Sequence, residues 1–192
     1  MVYTTSVLIG FPVSMQLLII LFLLTFSSYN LNKKTDIKED KISHPSRAAF
    51  VEKHGNNIIR VSVLAYFVGA LISFNINIII GFLYLFFLFS CIIYSKNITL
   101  GTIKISRLKN KFVIKNITVA FTWALVTTLI PVFFFNNTQI FNIILIFLFI
   151  FFKVFANTIF FDIRDIKGDM AVGIKTIPVH LGIEKTKIFL QK

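Results

Sequence analysis

The sequence predicts an all-α protein, a bundle of helices that crosses a membrane several times. Hydrophobic residues make up 56% of the 192-residue chain, the mean hydropathy is +0.83, and charged residues make up only 15%. An ordinary soluble domain is less apolar and more highly charged. Long apolar runs alternate with short segments that hold almost all of the Lys and Arg residues. This alternation is typical of membrane spans and their connecting loops.

Five apolar runs are long enough to cross a bilayer as helices, which takes about 17–25 residues. Pro12 is expected either to kink the first run or to end a short leading segment. Residues 75–77 form a tight turn between the second and third runs. A sixth helix could begin near Lys187. The predicted spans are residues 4–29, 58–74, 78–94, 117–135 and 140–161.

The positions of the charged residues predict the topology of the chain. Segments 30–57, 95–115 and 162–192 lie on one side of the membrane, and the two short turns lie on the other. The first side holds 19 of the 20 Lys and Arg residues and all eight acidic residues. Because loops rich in Lys and Arg stay in the cytoplasm, we predict that this side is cytoplasmic. The net charge of +12 thus reflects membrane topology, and no nucleic-acid partner is predicted.

Three aspartates directly follow the fifth predicted span. Asp162, Asp165 and Asp169 are three and four residues apart, so they share one face if the helix continues through them. Like charges at this spacing repel each other, whereas a divalent cation would hold them together. Carboxylate oxygens are ligands that Mg²⁺ prefers. The sequence therefore predicts a metal site where this helix leaves the membrane.

A second polar segment follows the first predicted span. Asn32, Asp36 and Asp40 recur every four residues, and Arg47 comes shortly after them. If the segment is helical, the amide and the two carboxylates share one face. Both acidic segments can meet on the cytoplasmic side of a small bundle, below the basic loop 95–115. Carboxylates beside Lys and Arg favour Mg²⁺ together with a phosphate-bearing ligand.

The two segments resemble the paired aspartate-rich motifs of the UbiA superfamily of membrane-embedded prenyltransferases. The first family motif, N-x-x-x-D-x-x-x-D, matches Asn32, Asp36 and Asp40. The second has the form D-x-x-D-x-x-x-D and is followed by Gly, Thr and a Pro-Val pair. Its matching residues here are Asp162, Asp165, Gly168, Asp169, Gly173, Thr176, Pro178 and Val179. Tyr94-Ser95 resembles the short segment that leads into the family's middle loop.

The resemblance implies Mg²⁺-dependent transfer of a prenyl group from a polyprenyl diphosphate to an aromatic or lipid-like acceptor, with membrane lipid as the surroundings. It implies four catalytic residues, Asp36, Asp40, Asp165 and Asp169. The implied metal ligands are the same four together with Asp162. The residues expected to bind the donor diphosphate are Asn32, Arg47, Lys104, Arg107, Lys153 and Lys167.

The resemblance covers only part of the family's bundle, which is expected to have about nine transmembrane helices. We expect residues 1–192 to form one transmembrane prenyltransferase-like domain that lacks the C-terminal helices. Ala48 stands where the family usually has Pro after the motif-one Arg, which leaves the acceptor open. Two alternatives remain at this point. One is a truncated, inactive relative. The other is a transport component for cations or phosphate esters, which would need polar or charged residues deep in several spans.

The basic loop 95–115 and Lys153 can each be explained without a role in ligand binding. The basic loop 95–115 is explained as well by anchoring on the cytoplasmic side as by phosphate binding. Lys153 is the only charged residue within the fifth predicted span. It either faces the interior of the bundle, as functional residues in membrane spans do, or extends to the membrane surface.

Overall fold

The computed structural model describes residues 2–12, 14–95, 98–100, 103–105, 108–136 and 139–191. These residues form nine α-helices and a two-stranded antiparallel hairpin, followed by a single 3₁₀ turn. The helices are α1 (Val2–Ile9), α2 (Met15–Thr35), α3 (Ile37–Ser43), α4 (Pro45–Ile76), α5 (Ile78–Ser95), α6 (Ile114–Phe134), α7 (Ile140–Ala171), α8 (Ile177–Leu181) and α9 (Ile183–Gln191). Between α5 and α6 lie β1 (Ile98–Leu100), β2 (Ile103–Ile105) and the 3₁₀ turn (Leu108–Asn110).

Five of these helices, α2, α4, α5, α6 and α7, are long and apolar enough to cross a membrane. They correspond in order to the five predicted spans, and they confirm the prediction of an all-α membrane bundle. The short hairpin is a small addition to this fold. Many of the large apolar side chains on the outside of the helices are exposed, among them Phe22, Phe82 and Phe152. Such side chains suit contact with lipid tails, which are as apolar as they are.

The first predicted span, 4–29, is divided in the structure. Helix α1 ends at Ile9, and α2 begins at Met15. Gly10, with a φ of +80°, leads the chain out of α1, because glycine adopts positive φ without steric cost. Of the two outcomes predicted for Pro12, the structure shows the second, a short leading segment that ends before the span.

Helices α4 and α7 extend furthest into the polar segments beyond their predicted spans. Helix α4 begins at Pro45 instead of residue 58, and α7 ends at Ala171 instead of residue 161. Proline suits the first turn of a helix because its missing N–H has no partner there anyway. Hydropathy marks only the part of a helix that lies in lipid, so it cannot locate ends that project beyond the membrane. The second aspartate segment therefore lies on the same helix as the fifth span.

The bundle is held together by two apolar clusters. The larger one packs α2, α4, α5 and α6 around fully buried side chains such as Leu17, Ile80 and Tyr84. The smaller one joins α6 to α7, where Ala120 and Ala124 are fully buried one turn apart. Small residues at such positions allow two membrane helices to approach closely. This packing brings the polar ends of α2, α6 and α7 to the same end of the bundle.

Candidate functional site

A pocket of about 320 Å³ lies where the polar ends of α2, α3, α6 and α7 meet. Both aspartate segments contribute to its wall, although more than one hundred residues separate them in the sequence. The acidic residues that line it are Asp36, Glu39, Asp40, Asp162, Asp165 and Asp169. The structure thus brings together all five aspartates that the sequence singled out.

Helix α7 supplies three of these aspartates on one face. Because α7 is continuous from Ile140 to Ala171, the spacing of Asp162, Asp165 and Asp169 turns all three carboxylates towards the pocket. Asp162 is 5% exposed and Asp169 is 4% exposed. Buried carboxylates are costly unless cations and hydrogen-bond donors surround them, so their partners decide whether this face is stable.

The first segment crosses a boundary between two helices. Helix α2 ends at Thr35, Asp36 follows it, and α3 begins at Ile37. The path remains close to helical, because the Asp36 N–H donates to the Asn32 carbonyl at 3.1 Å and the Asp40 N–H donates to the Asp36 carbonyl at 2.9 Å. Asn32, Asp36 and Asp40 consequently all line the pocket. The Ser95 hydroxyl donates to Asn32 Oδ1 at 2.8 Å and ties this segment to the end of α5.

Lys115 and Asn116, in the first turn of α6, hold the carboxylates of α7. Lys115 Nζ lies 2.7 Å from Asp162 Oδ1 and 3.4 Å from Asp169 Oδ2. Asn116 Nδ2 donates to Asp162 Oδ2 at 2.9 Å and to the Thr158 hydroxyl at 3.1 Å. Lys115 is only 8% exposed, so its charge acts in surroundings from which most water is excluded. One lysine is therefore shared by two buried aspartates and offsets one of their two negative charges.

Lys109, in the 3₁₀ turn, makes the corresponding contact with the first segment. Its Nζ lies 2.7 Å from Asp36 Oδ1 and 3.6 Å from Glu39 Oε1. The lysine is 6% exposed, although it belongs to a short connecting segment. The middle loop thus reaches into the pocket through Lys109.

The remaining two aspartates also have basic neighbours. Asp40 forms a bidentate pair with Arg47, in which Nε donates to Oδ2 at 3.1 Å and Nη2 contacts Oδ1. Asp165 Oδ1 lies 2.9 Å from His44 Nε2 and accepts a bond from Arg164 Nε at 3.0 Å. Each of the five aspartates is therefore balanced by a Lys, Arg or His side chain at the pocket wall.

The donor set of the pocket fits Mg²⁺. Within the described ranges, no group of three or more His, Cys, Asp or Glu residues is arranged to hold a metal ion on its own. Mg²⁺ is usually bound by one or two carboxylates, with waters and substrate phosphates completing its shell. Aspartates on two opposing walls suit that arrangement. In addition, Asn116 Oδ1 is buried without a hydrogen-bond partner in the described part of the chain, which leaves an oxygen acceptor beside Asp162.

The predicted diphosphate-binding residues divide into three groups. Asn32 and Arg47 line the pocket. Lys153 and Lys167 are exposed and are absent from its lining. At about 100° per residue, Lys153 lies on the side of α7 opposite to Asp162, and Lys167 lies about 140° from it. The structure therefore brings neither lysine to the pocket, and their role in diphosphate binding stays a prediction. The Lys104 side chain and the whole of Arg107 lie outside the residues that the structure describes.

Sequence reasoning did not single out Lys109, Lys115, Asn116 and His44 as site residues. Six basic residues occur in the segment 95–115, and no periodic pattern distinguishes Lys109 and Lys115, which line the pocket. A signal was available for Lys115 and Asn116, because they directly precede the fourth predicted span and thus lie at the same membrane boundary as both aspartate segments. His44 could be identified only from its contact with Asp165.

A second, mostly apolar cavity lies next to the pocket, between α5 and α6. Its volume is about 60 Å³, and it shares Asn32, Tyr94 and Val119 with the pocket. Phe87 and Trp123 line its far side, closer to the middle of the two spans. The polar pocket thus has a mostly apolar cavity as its neighbour inside the bundle.

Comparisons with known proteins agree with this geometry. The model of the UbiA prenyltransferase family matches residues 1–191. The chain is 29% identical over 170 residues to a digeranylgeranylglyceryl phosphate synthase of Sulfurisphaera tokodaii. The aligned residues make up 88% of this chain and 58% of that protein. It is 27% identical over 169 residues to a digeranylgeranylglyceryl phosphate synthase of Methanosarcina mazei, covering 87% of this chain and 54% of that protein.

The chain thus spans a little over half the length of these two relatives. No solved structure matches it significantly.

Proposed function

The chain belongs to the UbiA prenyltransferase family, and we propose that its pocket binds a polyprenyl diphosphate with Mg²⁺ and transfers the prenyl group to a lipid-like acceptor within the membrane. One observation carries this proposal. Five aspartates on two walls, together with the cations of Arg47, Lys109 and Lys115, line a single pocket at the end of a transmembrane bundle. Diphosphate chemistry needs both kinds of charge in one place.

The aspartates would hold Mg²⁺ from both walls, Asp36 and Asp40 from one, and Asp162, Asp165 and Asp169 from the other. When bound, the metal would neutralise negative charge on the diphosphate as this group departs. The aspartates would also orient the donor, since ligands on opposing walls leave the space between them for the diphosphate.

Arg47, Lys109 and Lys115 would bind the diphosphate oxygens directly. In the structure they pair with Asp40, Asp36 and Asp162. Their N–H groups can form charge-assisted hydrogen bonds to phosphate oxygens in the same pocket. The bond between C1 of the prenyl group and the diphosphate oxygen breaks, and its electron pair stays on the diphosphate. Fixed cations stabilise that charge without reorganising.

The apolar walls would protect the resulting allylic cation. Tyr94, Val119 and Phe161 line the pocket beside the charged groups, and the smaller cavity is lined by Phe87 and Trp123. Exclusion of water leaves the acceptor as the available nucleophile. An acceptor hydroxyl would form the new bond to C1 and release its proton. The names of the two relatives favour a glyceryl phosphate lipid as this acceptor.

The transport alternative has less support in the structure. Several hydroxyl groups within the spans bond to their own helix, for example Ser73 to the Gly69 carbonyl and Thr127 to the Trp123 carbonyl. Lys153, the charged residue in the middle of α7, is exposed on the outside of the bundle. The described spans therefore provide no line of charged groups through the bundle.

Donor binding by the full chain tests the proposal. The protein is reconstituted in lipid nanodiscs, and binding of a polyprenyl diphosphate is measured across a MgCl₂ titration. We expect Mg²⁺ to tighten binding, and we expect Asp36→Asn and Asp165→Asn each to weaken it by at least about tenfold. Lys187→Ala, at an exposed ion pair on α9, is the control that should bind like the wild type. A donor affinity that does not change with the Mg²⁺ concentration would refute the proposal.

Turnover is measured separately by following transfer of a labelled prenyl group into extracted lipid. Transfer by the full chain supports the enzymatic reading. Mg²⁺-dependent binding without transfer would instead support the alternative of an inactive relative.

A further inference from the structure

Helices α3 and α7 are in direct contact at the pocket; α3 carries the last aspartate of the first segment, and α7 carries the whole of the second segment. Asp40 lies on α3, and Asp165 and Asp169 lie on α7. The separation of these two helices therefore sets the separation of the carboxylates on opposing walls. The contact is centred on Gly168, which directly precedes Asp169.

Gly168 leaves no room for a side chain. A Cβ atom built there would overlap Ser43 Oγ and would lie 2.8 Å from the carbonyl oxygen of Glu39. The Ser43 hydroxyl can rotate away, but the Glu39 carbonyl belongs to the backbone of α3. Any larger residue at position 168 must therefore move α3 as a unit, since packed interiors have little free space to absorb the change.

Polar contacts lock the two helices at this close approach. The Gly168 N–H donates to Ser43 Oγ at 3.1 Å, and the same hydroxyl donates a long bond of 3.5 Å to the Asp165 carbonyl. One residue further along, His44 Nε2 lies 2.9 Å from Asp165 Oδ1. The end of α3 thus contacts α7 at Gly168 and at Asp165, three residues earlier.

From this contact we infer that Gly168 is a positioning residue, which sets the distance between the two aspartate segments and so the affinity of the pocket for Mg²⁺ with a diphosphate. The inference rests on the function proposed above. Mg²⁺ demands near-ideal octahedral geometry. A displacement of about 1 Å at a catalytic site can cost about 100-fold in rate, so a small movement of α3 would be sufficient.

Gly168→Ala tests this role, with Gly55→Ala as a matched control. Both glycines are buried within helices, and alanine is the better helix former at each. A Cβ at Gly55 would meet its nearest atom, Val51 Cγ1, at an ordinary 3.8 Å. The two substitutions therefore differ in whether they push another helix away.

The probe is inorganic pyrophosphate at fixed concentration, and the readout is the thermal unfolding midpoint of the full chain across a MgCl₂ titration. We expect Gly168→Ala to need about tenfold more Mg²⁺ than the wild type for half of the stabilisation. Gly55→Ala should need the same concentration as the wild type. A purely structural role would lower the midpoint without ligand and leave the Mg²⁺ requirement unchanged.

A second variant applies if Gly168→Ala does not fold. Ser43→Ala keeps the glycine and removes the hydroxyl that bonds to α7, and we expect it to raise the Mg²⁺ requirement by about threefold. The inference about Gly168 is overturned if the folded variants require no more Mg²⁺ than Gly55→Ala. If the wild type itself shows no Mg²⁺-dependent stabilisation by pyrophosphate, the proposed function fails instead.

Discussion

The two aspartate segments have similar spacing in the sequence but are held in different ways. The second segment lies within one uninterrupted helix, and Asp162 and Asp169 are almost fully buried around a shared lysine. The first crosses the boundary between α2 and α3, and the Asp36 side chain is 25% exposed. One helix therefore sets the spacing along the second segment, whereas the path of the first depends on contacts with α5, α7 and the middle loop.

This difference predicts that the second segment is more sensitive to the loss of its cation. A buried carboxylate without a partner cannot recover its hydration, while a partly exposed one can. The following substitutions test the comparison, beginning with the largest expected effect.

Lys115→Met keeps most of the side-chain volume and removes the charge that Asp162 and Asp169 share. We expect the free energy of unfolding to fall by about 3–5 kcal/mol, as when a buried ion pair loses one partner. Denaturant unfolding in mixed micelles without Mg²⁺ measures it. Lys187→Met is the control, since its pair with Glu184 is more than half exposed on both sides, and it should change stability by less than about 0.5 kcal/mol. If both variants lowered the free energy of unfolding equally, Lys115 would not form a stabilising buried ion pair.

Lys109→Met makes the same change at the first segment. Because Asp36 is partly exposed, we expect the free energy of unfolding to fall by an intermediate amount. This amount lies between the roughly 1 kcal/mol of an exposed ion pair and the roughly 3 kcal/mol of a buried one. The same unfolding experiment gives the value. A loss larger than that of Lys115→Met would reverse the proposed order of the two segments.

Ser95→Ala removes the hydroxyl that bonds Asn32 Oδ1 and ties the first segment to α5. A single hydrogen bond between neutral groups contributes about 1 kcal/mol, so we expect a loss of this size. Ser90→Ala, one turn earlier on α5, is the matched serine control. If both serine variants are indistinguishable, the first segment does not depend on this contact.

Lys153→Ala and Lys167→Ala should have the smallest effect. Both lysines are exposed on the side of α7 that faces away from its three aspartates, so we expect donor binding to stay within about twofold of the wild type. Arg47→Ala, which removes a cation from the pocket wall, should weaken binding clearly in the same assay. If either lysine variant bound the donor much more weakly than the wild type, the donor would also contact the outer face of α7.

Several features of the site followed from local patterns. Hydropathy correctly predicted five spans, and the parity of crossings correctly predicted that the two aspartate segments lie at the same end of the bundle. The spacing of Asp162, Asp165 and Asp169 correctly predicted one helical face. The same periodicity places Lys153 and Lys167 away from that face, in agreement with their absence from the pocket lining.

The sequence by itself determined the membrane bundle and the positions of its aspartates along each helix, because apolar length and helical period are local properties. Only the tertiary structure decided which basic residues enter the pocket. Lys109 and Lys115 come from a loop in which six basic residues look alike. It also decided how closely the segments approach, through the contact of Gly168 with Ser43 and Glu39. Both outcomes depend on how distant helices pack, which no local pattern records.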